Sequence, residues 1–261
     1  MHVSSARFRG SLPYSAGFAC VLALVATILI RSLRKAWHAP DSDEGYYAYF
    51  AYQVQQHGLR IFPKLFRAWN SNGIITVPAL ERPSWWHPPP YRLGYIIACG
   101  WWAKLFGASI ASLSALSTAS HLVWMCINWF FARRRLGEGF ALALVCLCAF
   151  SPLLMGEARL ALMDNYTLMW TTLVTWLFLE MLESPHAGRL QIGFVLAFLS
   201  AILTKELSVF LVAPLAAVTL IERFGRGRPL PLWRFAALFA LPGLLSIPFF
   251  VLAAGGLPTL L

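Results

Sequence analysis

Asp41-Ser42-Asp43-Glu44-Gly45-Tyr46-Tyr47 crowds three carboxylates into four positions of a chain that has only 11 Asp and Glu among 261 residues. A second acidic group, Glu157-Ala158-Arg159-Leu160-Ala161-Leu162-Met163-Asp164, lies at the edge of another apolar stretch. Lys205-Glu206 interrupts an otherwise apolar run over residues 192–221. Carboxylates in such places can take a proton from a hydroxyl or hold a cation, and Arg159 or Lys205 can hold an anionic group. Ionisable groups at membrane depth are costly and tend to mark functional pathways, so chemistry is sought here first.

Each motif also has a structural reading. Asp41-x-x-Glu44 has the form of a capping box, which accounts for Asp41 and Glu44 without chemistry. Asp43 is left over, in a first helical turn where an acid is favoured but not required. Glu157 and Asp164 are seven residues apart and share one face if a single helix carries both; a solvated helix end with Glu157 paired to Arg159 is the alternative. Lys205 either binds an anion or snorkels into headgroups. His87, in Trp85-Trp86-His87-Pro88-Pro89, is the only histidine near a candidate site. A lone histidine is a weak metal signal, because zinc collects three or four protein ligands.

The elements that position these residues follow from composition. With 59% hydrophobic and 12% charged residues, the chain is an integral membrane protein. Apolar stretches cover residues 14–30, 108–132, 140–155, 166–182, 190–203, 207–221 and 235–254, most near the ~20 residues a spanning helix needs. Arg7 and Arg9 precede the first, which ends in Arg31-Ser32-Leu33-Arg34-Lys35 rather than in a small-residue cleavage site; an uncleaved anchor is expected. The net charge of +10 lies in short loops between spans, which points to lipid and membrane orientation rather than nucleic acid. Cys20, Cys99, Cys126, Cys146 and Cys148 fall within apolar segments and form neither a disulfide framework nor a zinc spacing.

One further apolar stretch, 91–106, decides the topology. If it lies along the interface, Arg133-Arg134-Arg135, Arg189 and Arg223/Arg226/Arg228 share a side with Arg7 and Arg9, as the positive-inside rule asks. Both acidic motifs then face the opposite side together. Arg92 and Lys104 within the stretch fit an interfacial helix better than a span. Arg31, Arg34 and Lys35 run against this trend. The expected fold is an all-α polytopic membrane protein with about seven transmembrane helices and its N-terminus in the cytoplasm. It forms a single module over residues 1–261, with an outer loop over 37–108 carrying juxtamembrane helices and no separate soluble domain. Tyr46, Tyr47, Tyr49, Phe50 and Tyr52 suit a helix at headgroup depth.

Four motifs in order carry a resemblance: Asp43-Glu44-x-Tyr46-Tyr47; His87-Pro88-Pro89 followed by Leu105-Phe106-Gly107; Glu157-Ala158-Arg159-x-Ala161-x-Met163-Asp164; and Leu203-Thr204-Lys205. Together they resemble the GT-C membrane glycosyltransferases, with the protein O-mannosyltransferases and the lipid A aminoarabinose transferases as the nearest groups. Members of that class use a sugar linked to a polyprenyl phosphate and act on the outer or lumenal face. The resemblance implies catalytic roles for Asp43, Glu44 and Asp164, donor-phosphate binding by Arg159 and Lys205, and orienting roles for Glu157 and His87. It implies a polyprenyl-phosphate-linked donor, a lipid, glycan or protein acceptor, and a location in a bacterial inner membrane with the site on the periplasmic side. A divalent metal ion, if used, would draw on Asp43, Asp164 and His87. Glu206 stands where the family usually has glycine, which adds a negative charge beside the phosphate site. Members are also longer, so the chain is expected to correspond to their shared helical module. A catalytically silent subunit that binds polyprenyl phosphate or a partner, and a membrane transporter, are the alternative functions.

Overall fold

The computed structural model describes residues 12–33, 43–72 and 90–256, and among these every regular element is a helix. The helices are α1 (Leu12–Leu33), α2 (Asp43–His57), α3 (Phe62–Asn72), α4 (Leu93–Phe106), α5 (Ile110–Arg135), α6 (Glu138–Ala149), α7 (Pro152–Glu157), α8 (Asp164–Glu183), α9 (Gly188–Thr204), α10 (Val212–Leu220) and α11 (Leu232–Ala254). A 3₁₀ segment (Glu206–Leu211) and a π segment (Ile221–Gly225) extend α10 at either end.

The side chains of α5 and α8 determine how the bundle is put together. Thr118 and Ser117 donate to the carbonyls of Ala158 and Leu162, each at 2.9 Å. Further along, His121 meets Asn165, Trp124 Nε1 donates to Thr172, and Trp176 Nε1 donates to Asn128. At the far end Arg135 Nε reaches Glu180 at 3.1 Å. The two helices are therefore parallel and held in one register along their length. In lipid the hydrophobic effect does not draw helices together, so such interhelical hydrogen bonds and close packing carry more of the association.

The remaining helices follow from this pair. Tyr14 lies over Gly139, and Phe18 stacks on Trp129 at 4.8 Å, so α1 starts at the arginine-rich end. Phe178 meets Phe235, which starts α11 at that same end; α9 runs back to Thr204 at the other. Arg226 and Arg228 both pair with the buried Glu222, closing the turn before α11. Among the described residues seven segments thus run between the two ends: α1, α5, α6 with α7, α8, α9, the segment around α10, and α11. Four of them, Pro13–Leu33, Ile110–Arg135, Glu206–Gly225 and Leu232–Ala254, are long and apolar enough to cross a membrane. The expected span over 140–155 is divided, because Pro152 opens a new helix where its missing N–H costs nothing.

α4 does not pass between the ends. Trp102 Nε1 near its C-terminus donates to the carbonyl of Ser112 in the first turns of α5, and Gly107, at φ +86°, reverses the chain between them. Trp101, Leu105 and Phe106 are exposed on its outer face, with Lys104 over the Trp101 ring, an arrangement suited to a helix lying in the interface. Its inner face, Tyr95, Ile96 and Cys99, is fully buried against α2. The aromatics of α2 depart from the expectation for a headgroup-level helix. Tyr46, Tyr47 and Phe50 are buried in protein, and Tyr52 is the exposed one.

Gly94 is where α4 touches α9. A methyl group there would lie 2.7 Å from Thr204 Oγ1 and 2.9 Å from its backbone nitrogen. Backbone is not a neighbour that can swing aside, so only glycine permits the approach. Gly94→Ala is expected to destabilise the protein by about 1–3 kcal/mol, the usual cost of overpacking, read as a lowered Tm in detergent. An unchanged Tm would mean that α4 shifts freely relative to α9.

Candidate active site

α2 opens with Asp43 and Glu44, acids placed in its first turn where the helix dipole favours them. Glu44 is buried, and its Oε1 accepts a hydrogen bond from the Ala161 backbone nitrogen at 2.7 Å. Tyr47, one turn later, donates to Met163 Sδ at 3.5 Å and accepts from Arg92 Nη1 at 2.7 Å. Residues 44 and 47 thus tie the first acidic motif to the segment that carries the second. Burial pushes the Tyr47 phenol far above its ordinary range, with Asp43 adding and Arg92 opposing; it is a permanent hydroxyl. Burial works against the Arg92 charge, yet Tyr47, Glu206 and Asp43 outweigh it and raise its pKa further. Arg92 is a fixed cation, as any guanidinium is, with the carboxylates of Asp43 and Glu206 acting on it.

Glu157 and Asp164 are not on one helix, contrary to the expectation from spacing. α7 ends at Glu157 and α8 begins at Asp164, with a turn between them. The intervening residues include good helix formers, but their backbone groups bond elsewhere. Ala158 O and Leu162 O accept from Thr118 and Ser117, and Ala161 N–H donates to Glu44. Tertiary partners thus replace the bonds a continuous helix would have made.

The turn nevertheless brings the two acids close. Burial first, and then the charge of Asp164, raises the pKa of Glu157, against the pull of Lys205; this carboxyl keeps its proton to higher pH than an ordinary glutamate. Lys205 Nζ lies 3.0 Å from Asp164 Oδ1, both partly exposed. A half-exposed pair of this kind contributes only about 0–1 kcal/mol to stability, which makes it better suited to exchange with a ligand than to holding the fold. Glu157 Oε2 and Glu206 Oε2 are both shielded from solvent without a hydrogen-bond partner among the described residues.

The structure therefore brings together Asp43, Glu44, Glu157, Asp164 and Lys205, all expected from sequence, at one end of the bundle. Arg159 is exposed and its Nε turns back to Met155 O, leaving it at the rim. His87 lies outside the described residues. Among the described residues no three His, Cys, Asp or Glu side chains gather as a metal site; of the candidate ligands Asp43, Asp164 and His87, the last lies outside them. Arg92 and the hydroxyl of Tyr47 were not assigned to the site from sequence. The only signal for Arg92 was its position, two residues after Pro88-Pro89-Pro90, and its charge was read as interfacial.

The dolichyl-phosphate-mannose-protein mannosyltransferase family model matches residues 87–249, more than half of the 261. The matched region contains Arg92, Glu157, Arg159, Asp164 and Lys205, and Asp43 and Glu44 precede it. No curated protein and no solved structure matches the chain. With its helical membrane architecture and a charged site at one end of the bundle, the chain belongs to the dolichyl-phosphate-mannose-protein mannosyltransferase family and is a membrane glycosyltransferase of the GT-C type.

Proposed function

We propose that the chain transfers a sugar from a polyprenyl-phosphate-linked donor to an acceptor hydroxyl, with inversion, on the extracytoplasmic side of a bacterial inner membrane. The single observation that carries this reading is the Glu44–Ala161 hydrogen bond. It holds an acidic α2 against the Glu157–Asp164 turn, within reach of two cations. The arginine-rich opposite end supports the sidedness through the positive-inside rule.

Asp43 takes the proton from the acceptor hydroxyl as its oxygen attacks the anomeric carbon. The bond from that carbon to the phosphate oxygen breaks, and its electron pair leaves with the polyprenyl phosphate. A phosphate leaving group needs little protonation, so the demand falls on a base and on charge compensation. Arg92 and Lys205 offset the growing phosphate charge, with Arg159 at the rim, and such preorganised electrostatics are often the largest catalytic term. Glu157 and Asp164 orient the acceptor. Glu44, buried and bonded to the turn, positions the two motifs.

The direct test is transfer of radiolabelled sugar from a polyprenyl-phosphate donor by the purified chain in liposomes. A glycosidic product is expected, and no product with any sugar-phosphate lipid offered would refute the reading. In the same assay Lys205→Ala should weaken donor affinity by about 10- to 100-fold, since a charge-assisted hydrogen bond contributes roughly 1.5–3 kcal/mol. Unchanged donor affinity and turnover would remove Lys205 from the site.

A further inference from the structure

His121 is the one ionisable side chain buried in the middle of α5, and the proposed reaction does not use it. It is fully buried, as is its partner Asn165, with Nδ1 of the imidazole 3.1 Å from Asn165 Oδ1. A polar ring in a membrane-spanning helix is costly to place, and the residues that bear such a cost tend to be functional. Helix association does not demand it. The register of α5 on α8 is already set further along by Trp124–Thr172, Trp176–Asn128 and Arg135–Glu180. An aliphatic side chain would fill the same space.

What the His121 bond does reach is the first turn of α8. Asn165 directly follows Asp164, and successive helical side chains diverge by about 100°. Asn165 turns inward to α5 while Asp164 turns to Lys205. Ser117 and Thr118 hold the turn before α8, at Leu162 and Ala158; His121 holds α8 itself. A rotation of this first turn would carry the Asp164 carboxylate with it.

We propose that His121 is a positioning residue that acts through Asn165 to set the Asp164 carboxylate beside Lys205. With Asn165 Oδ1 as acceptor, the imidazole carries its proton on Nδ1 and works as a neutral donor. This inference rests on the transfer reaction proposed above, in which Asp164 orients the acceptor.

The test compares His121→Leu with His121→Gln, whose amide keeps a donor facing Asn165, in the reconstituted full chain. Small misplacements of a reacting group are expensive, so His121→Leu is expected to lower kcat by about 10-fold or more, with donor KM unchanged. His121→Gln should stay within about 3-fold of the native kcat. Deuterium uptake over the backbone amides of residues 164–167 should rise in the Leu variant and not in the Gln variant. A native kcat in both variants, or equal losses in both, overturns the inference. If His121→Leu fails to fold, the Gln variant still decides: a loss of kcat as large as that of Asp164→Asn rejects the donor role. Asp164→Asn separates the two proposals. If that variant transfers sugar at the native rate, the role given to Asp164 is wrong, and the deuterium uptake alone judges whether His121 holds the turn.

Discussion

Asp43→Asn is expected to lower sugar transfer by about 10²- to 10⁴-fold, the range over which a positioned base accelerates a reaction. The asparagine has nearly the same shape and cannot take a proton. Asp43 is exposed on the first turn of α2, while the buried face of that helix is built by Glu44, Tyr46, Tyr47 and Phe50. Expression and Tm should therefore stay near native values, and donor KM should change little. The contrast with Glu44 sharpens the measurement. Glu44 accepts the Ala161 N–H, so its truncation should disturb the Glu157–Asp164 turn and stability together. A purified Asp43→Asn protein with a near-native rate would dismiss Asp43 as the base.

Arg92→Met should cost about 10²- to 10³-fold in kcat/KM for the donor, as removal of one fixed charge-stabilising group does in other enzymes. Methionine keeps much of the apolar stem, which isolates the guanidinium. In the proposed reaction two features would make Arg92 the strongest of the phosphate-facing cations. It is held in place by Tyr47 at 2.7 Å, and a guanidinium stays charged at every working pH. Lys205, by contrast, spends its charge on the partly exposed Asp164. Arg92→Lys is expected to recover activity only in part, because an ammonium offers a point charge in place of the planar fork. Full activity in Arg92→Met would leave Lys205 and Arg159 as the phosphate-facing cations.

Glu206 bears on the same balance. It follows Lys205 in the chain and favours the charged form of Arg92.

The membrane class of this chain was legible because it depends on composition, and the gathering of arginines at one end because it depends on where they fall between apolar runs. The bundle places Arg135 and Arg226 at the end opposite Asp43 and Asp164, which agrees with an interfacial 91–106. Asp43, Glu157, Asp164 and Lys205 stood out in the sequence because charges at membrane edges are rare and expensive, and the fold gathers them at one end of the bundle.

Other features were settled only by tertiary contacts. The spacing of Glu157 and Asp164 left open a single helix carrying both; Ser117, Thr118 and Glu44 instead claim backbone groups of Leu162, Ala158 and Ala161, and the helix is broken there. The Glu44 bond joins residues 117 positions apart, and Arg92 reaches Tyr47 across 45. Periodicity and charge spacing are local quantities. Whether a carboxylate performs chemistry or fastens a turn depends on which donor the folded chain delivers to it, and no local pattern carries that information. For this protein the sequence determined the solvent and the kinds of side chain that gather at one end of the bundle; the tertiary structure decided which of them fasten the fold, as Glu44 does, and which stay exposed, as Asp43 does.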